Sequence, residues 1–129
     1  MATFEIIGAS SGGGGSPAGY AAGYPDGTKI YMALLTQSGT DAPVATVLQN
    51  TLGGTVVWTY NGNGSYIATL SGAFPASKTW LIINNTQPED SGPWLFIRGT
   101  DNTITLNNTN GENNSMSNTP IQIIVFPYP

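Results

Sequence analysis

The sequence predicts an all-β fold: an antiparallel β-sandwich, jelly-roll or immunoglobulin-like, of about eight strands behind a glycine-rich N-terminal arm. Three observations lead there. Short runs rich in β-branched and aromatic residues recur at fairly even spacing, divided by Gly, Asn, Pro and Ser clusters. No stretch carries a convincing helical periodicity. Residues 55–70 spell a hairpin: Thr-Val-Val-Trp-Thr-Tyr, then Asn-Gly-Asn-Gly, then Ser-Tyr-Ile-Ala-Thr-Leu. Asn and Gly tolerate the positive φ angles of tight hairpin turns. In that hairpin Val56, Trp58 and Tyr60 share one face, and Tyr66, Ala68 and Leu70 share another.

Residues 1–17 form the arm. Phe4, Ile6 and Ile7 could dock it on a partner, and the glycine run that follows suits a tether. Residues 18–129 form the β domain. Pro25-Asp26-Gly27 is a turn. The first long strand covers 29–37, with Ile30, Met32 and Leu34 on one face and Tyr31 and Leu35 on the other. A second strand covers 44–49, and the hairpin follows. Residues 79–84 are apolar on both faces, which predicts an interior strand. Residues 94–98 and 103–107 are two more strands, the latter with Ile104 and Leu106 inward. Residues 108–118 are a long polar loop, mobile or bound to a partner. The last strand covers 119–126, and its flanking Pro120 and Pro127 predict an edge position.

Composition narrows the function. The chain has 129 residues, enough for one domain, and 40% of them are hydrophobic, enough for a core. Only 8% are charged, against roughly a quarter in ordinary globular proteins. The net charge is −4, and Lys29, Lys78 and Arg98 are the only bases. Nucleic-acid binding and a polybasic membrane anchor both need a basic patch, so neither is expected. No apolar stretch reaches the roughly 20 residues of a membrane span, and residues 1–8 do not have the form of a secretory signal. The chain has no Cys and no His, which removes thiol chemistry, the usual general base and the commonest transition-metal ligands.

The remaining motifs carry little chemistry. Asp90-Ser91-Gly92 matches an aspartic-protease triplet, but it follows Gln87-Pro88-Glu89 instead of an apolar strand and reads as a turn. Asp101-Asn102 and Asn110-Gly111-Glu112 offer oxygens to calcium without matching an EF-hand loop. The carboxylates are scattered, mostly through loops. No enzyme activity and no cofactor or metal is therefore expected. For binding, Trp94 follows Pro93 and is expected at the surface, where it could stack on a sugar with Asn108, Asn110 and Asn113 beside it. Trp58 and Trp80 are expected in the core, and Tyr20, Tyr24 and Tyr31 outside it.

One longer stretch has a family likeness. Residues 33–48 read Ala-Leu-Leu-Thr-Gln-Ser-Gly-Thr-Asp-Ala-Pro-Val-Ala-Thr-Val-Leu, followed by Asn50-Thr51-Leu52-Gly53-Gly54 and Gly72-Ala73-Phe74-Pro75. The chain closes with Thr119-Pro120-Ile121-Gln122-Ile123-Ile124-Val125-Phe126-Pro127. These segments, about half the chain, resemble small proteins of phages and prophages of Bacteroidota that close on a Thr-Pro-Ile-Glu-Ile-Arg-Val-Tyr-Pro-like strand. The resemblance implies a virion- or tail-associated β-protein, made in the host cytoplasm and carried on the particle. Its expected partners are other capsid or tail proteins; the charge-poor surface predicts a homo-oligomer, and in the alternative reading, a carbohydrate- or receptor-binding module, the partner is a cell-surface glycan. Gln122 and Ile124 replace charged residues of that closing strand, as a surface buried in an assembly would require.

Overall fold

The computed structural model describes residues 23–84, 93–113 and 116–127. It is all-β, with eight strands in two antiparallel four-stranded sheets. The strands are β1 (Lys29–Thr36), β2 (Val44–Asn50), β3 (Val57–Gly62), β4 (Ser65–Thr69), β5 (Thr79–Ile83), β6 (Trp94–Arg98), β7 (Thr103–Asn108) and β8 (Thr119–Val125). The first sheet runs β2-β1-β8-β5 and the second β3-β4-β7-β6. The predicted hairpin is present. β3 and β4 pair through Trp58 and Ala68, Thr59 and Ile67, and Tyr60 and Tyr66, and the turn closes over Asn63 and Gly64.

Alternation along the strands builds the core. Tyr31, Ala33 and Leu35 of β1 and Ile121, Ile123 and Val125 of β8 point between the sheets. They meet Trp58, Tyr66, Ala68, Trp94, Ile104 and Leu106 of the second sheet. Phe74 and Met116 plug opposite ends from the loops. Burial of this apolar surface is the main force holding the sheets together, at roughly 25 cal/mol per Å² removed from water. Two buried phenols sit in the core. The Trp58 indole Nε1 donates to the Tyr31 hydroxyl at 3.3 Å. Burial raises the Tyr31 pKa, an effect that this indole bond partly opposes.

Two strand positions differ from expectation, and in opposite ways. β8 lies between β1 and β5, with partners on both sides, so it is an interior strand. Pro120 is tolerated there because its carbonyl accepts from the Asn84 N–H, just past the end of β5. The backbone nitrogen of a residue faces the same side as its carbonyl, so the missing donor falls where the β5 ladder has ended. β5, in turn, is an edge strand. Its apolar residues point both ways, but only Leu81 and Ile83 pack on the core, while Trp80 is 59% exposed. The expected order of interior and edge is thus reversed.

The topology also sorts charge. β1 and β5 both run antiparallel to β8, so both begin at the end of the sandwich where β6 and β8 finish. Lys29 opens β1, Lys78 precedes β5 and Arg98 closes β6. All three cations of the chain therefore sit at one end, here called the basic end. Asp26 and Asp101 lie at that end as well, and Asp41 and Glu112 lie in the loops of the opposite end.

Candidate contact surfaces

The loops expected to bind a ligand are tied into the fold. Trp94 is buried at 7% exposure, 6.2 Å from the Tyr66 ring, so it is a core residue and not a surface platform. It faces inward because it shares its side of β6 with Phe96, and β6 pairs it with Asn108. Its Nε1 finds no hydrogen-bond partner among the described residues. Asn108 is also buried, and its Oδ1 accepts from the Asn110 N–H to close the turn after β7. Of the four expected contacts only Asn110 is exposed.

Asn113 is the strut of this end. Its Oδ1 accepts from the Gly64 N–H at 2.9 Å and lies 3.3 Å from the Tyr66 hydroxyl. Its Nδ2 donates to the Tyr60 hydroxyl at 3.2 Å. The Tyr66 hydroxyl donates to Gln37 Oε1 at 2.8 Å, and Gln37 Nε2 donates in turn to the carbonyls of Gly39 and Asp41. Burial, and then the neighbouring Tyr60 hydroxyl, push the Tyr66 pKa up to about 12. Each of these polar groups has a partner, so the cluster locks three loops together. The 108–118 loop, expected to be mobile or partner-bound, is anchored in its described part by Asn113, by buried Met116 and by the bond from the Gln37 N–H to the Met116 carbonyl.

The other candidates resolve similarly. Asp101 pairs with Arg98, and Asn102 Oδ1 accepts from the Gly72 N–H, so both oxygens offered to calcium brace the basic-end loops. Tyr31 lies in the core and Trp80 outside it, each opposite to expectation. Phe4, Ile6 and Ile7, Tyr20, and the triplet Asp90-Ser91-Gly92 lie outside the described residues.

Most of the outward sheet faces is open to solvent, although Ile30 and Ile124, in the row of Trp80 on the first sheet, are buried. The second sheet presents Val57 and Thr59 of β3, Ile67 and Thr69 of β4, Thr103 and Thr105 of β7, and Leu95 and Ile97 of β6. Thr59, Ile67, Thr105 and Ile97 line up in one row across it. The first sheet presents Met32, Leu34, Gln122, Trp80 and Ile82. Within all eight strands the only charged residues are Lys29 and Arg98, both at strand ends. Edge strand β2 adds exposed Val44, Val47 and Leu48 and is blunted only by a bulge opposite Met32 and Ala33. Neither sheet face carries the spaced charges that keep soluble monomers apart.

Among the described residues no three acidic side chains converge on a metal-sized site. No helix there is long and apolar enough to cross a membrane. Comparison with protein-family models, with curated proteins and with solved structures gives no match.

Proposed function

We propose that this chain is a non-enzymatic structural protein of a virion, either a capsid decoration protein or a small fibre, spike or tail component. Residues 1–17 dock it on the particle, and the β domain is displayed and assembles as a homo-oligomer. The observation that carries this reading is the pair of uncharged sheet faces, with Val57, Leu95 and Ile97 exposed on one and Trp80 and Ile82 on the other. Exposed apolar groups in an uncharged surround mark a surface that meets protein. The phage-protein resemblance of the sequence supports the same reading.

The test compares the full chain with a Leu95→Lys/Ile97→Lys variant in particles purified from producing cells. The full chain is expected in the particles in stoichiometric amount, and the variant is expected to be depleted. Absence of the full chain from purified particles would contradict the proposal. Lectin-like binding through Trp94 is not supported, because that side chain is in the core. A receptor contact has better material at the basic end.

A further inference from the structure

At the basic end a pocket of about 200 Å³ is bordered by the start of β1, the end of β8 and the loop that leads into β5. Lys29 and Lys78 both line it, so two of the three cations in the whole chain face one opening. Among the described residues no carboxylate lines it. The third cation, Arg98, is held nearby by Asp101 and by the Phe74 carbonyl, and that is the only ion pair among the described residues. Lys29 and Lys78 have no such partner there. Asp26, next to Gly27 on the rim, makes no ion pair among the described residues either.

Apolar side chains form part of the lining. Phe126, Pro75 and Pro127 wall it. Gly27 and Gly72 keep it open, both at positive φ. A Cβ on Gly27 would come within 3.3 Å of Pro127. The volume suits one small ring rather than a drug-sized ligand, whose pockets are typically about 300 Å³ or more. Two lysines that line one pocket and make no ion pair among the described residues attract an external anion to it. Ammonium groups are point charges and take carboxylate or sulfate alike, whereas the aromatic and proline walls favour the C–H face of a ring.

We infer that this pocket binds one acidic sugar unit, a saccharide ring bearing a carboxylate or sulfate. Lys29 and Lys78 hold the anionic group, and Phe126 and the prolines hold the ring. The inference rests on the display reading only for its biological setting: a displayed domain with such a pocket would engage an acidic surface polysaccharide. A single ring of this size binds at about millimolar strength.

The experiment titrates the ¹⁵N-labelled full chain with methyl β-glucuronide and, separately, with methyl β-glucoside, following amide resonances by NMR. The glucuronide is expected to shift Gly27, Gly72, Ala73 and Phe126 saturably, and the glucoside to shift them at least about tenfold more weakly. A Lys29→Gln/Lys78→Gln variant is expected to keep its dispersed spectrum and lose the glucuronide response, as is the wild-type chain in high salt. Three results would overturn the inference: no saturable shift with glucuronide, equal shifts with both sugars, or an undiminished response in the double variant. A third titration with benzoate decides the ring: saturation by benzoate alone would overturn the saccharide assignment. Particle incorporation is not read in these titrations, so their failure and that of the display proposal are separate outcomes.

Discussion

The two ends of the sandwich treat polar groups in opposite ways. At the end opposite the basic end, Gln37, Tyr60, Tyr66 and Asn113 spend their hydrogen bonds on each other and on loop backbone. At the basic end Lys29 and Lys78 line an open pocket that no carboxylate lines among the described residues. The end richest in Asn, which composition marks as a binding loop, is therefore a structural lock. The basic end also ties Arg98, Asp101 and Asn102 into its loops, but Lys29 and Lys78 make no ion pair there among the described residues. A polar side chain signals a binding site only when its partners are missing, and sequence does not show partners.

The contrast can be broken at the locked end first. Trp94→Ala removes a buried indole from the core and is expected to destabilise the fold by about 3–5 kcal/mol in chemical denaturation. If Trp94 were instead a surface ligand contact, stability would barely change. Gly64→Ala comes next. Gly64 has φ +67°, and an added Cβ would lie 2.7 Å from the Glu112 backbone nitrogen. Strain alone is expected to cost about 1–3 kcal/mol, with the steric clash adding to it. Asn113→Ala leaves the Gly64 N–H without its bond and removes a neighbour of Tyr66, for a loss of about 1–3 kcal/mol.

The lock also has a pH signature. In the fold the Tyr66 pKa is raised, so its neutral phenol is the favoured form. The stability that goes with it is fully present below the ordinary value of about 10 and is lost as pH rises from there through about 12. Burial of Tyr31 acts in the same direction. Thermal melts across this window are expected to fall steeply, and Tyr66→Phe is expected to flatten part of that fall. A melting temperature independent of pH there would count against a buried, hydrogen-bonded phenol. The smallest effect on stability belongs to the outer face: Trp80→Ser is expected to change it by no more than about 0.5 kcal/mol. If Trp80 mediates assembly, the same variant lowers the oligomer mass seen by light scattering.

Much of the fold was legible because local signals agree. Each strand is bounded by turn residues, and the alternation in Thr103–Asn108 points Ile104 and Leu106 inward without ambiguity. The hairpin of β3 and β4 follows from Asn and Gly between two β-branched, aromatic runs. The order of the strands was not legible, and several of the errors share one cause. Trp80 and Ile82 in β5, and Leu95 and Ile97 in β6, are apolar on faces that look outward. When both faces of a strand are apolar, alternation no longer says which is inside. That put Trp80 in the core, Tyr31 outside it and β5 in the interior, while the preceding Pro93 put Trp94 at the surface. Pro120 marked β8 as an edge because sequence cannot show that its missing N–H falls beyond the end of β5. The lysine pocket was equally hidden. Lys29 and Lys78 are far apart in the chain, and they meet only because β8 pairs with both β1 and β5.

One paired measurement tests the contrast between the ends most directly: thermal stability and glucuronide titration on the Asn113→Ala and Lys29→Gln/Lys78→Gln variants side by side. Asn113→Ala is expected to melt lower and to keep the glucuronide response. The lysine variant is expected to melt with the wild type and to lose that response. The reverse pattern, with binding lost at Asn113 and retained without the lysines, would contradict the assignment of lock and pocket.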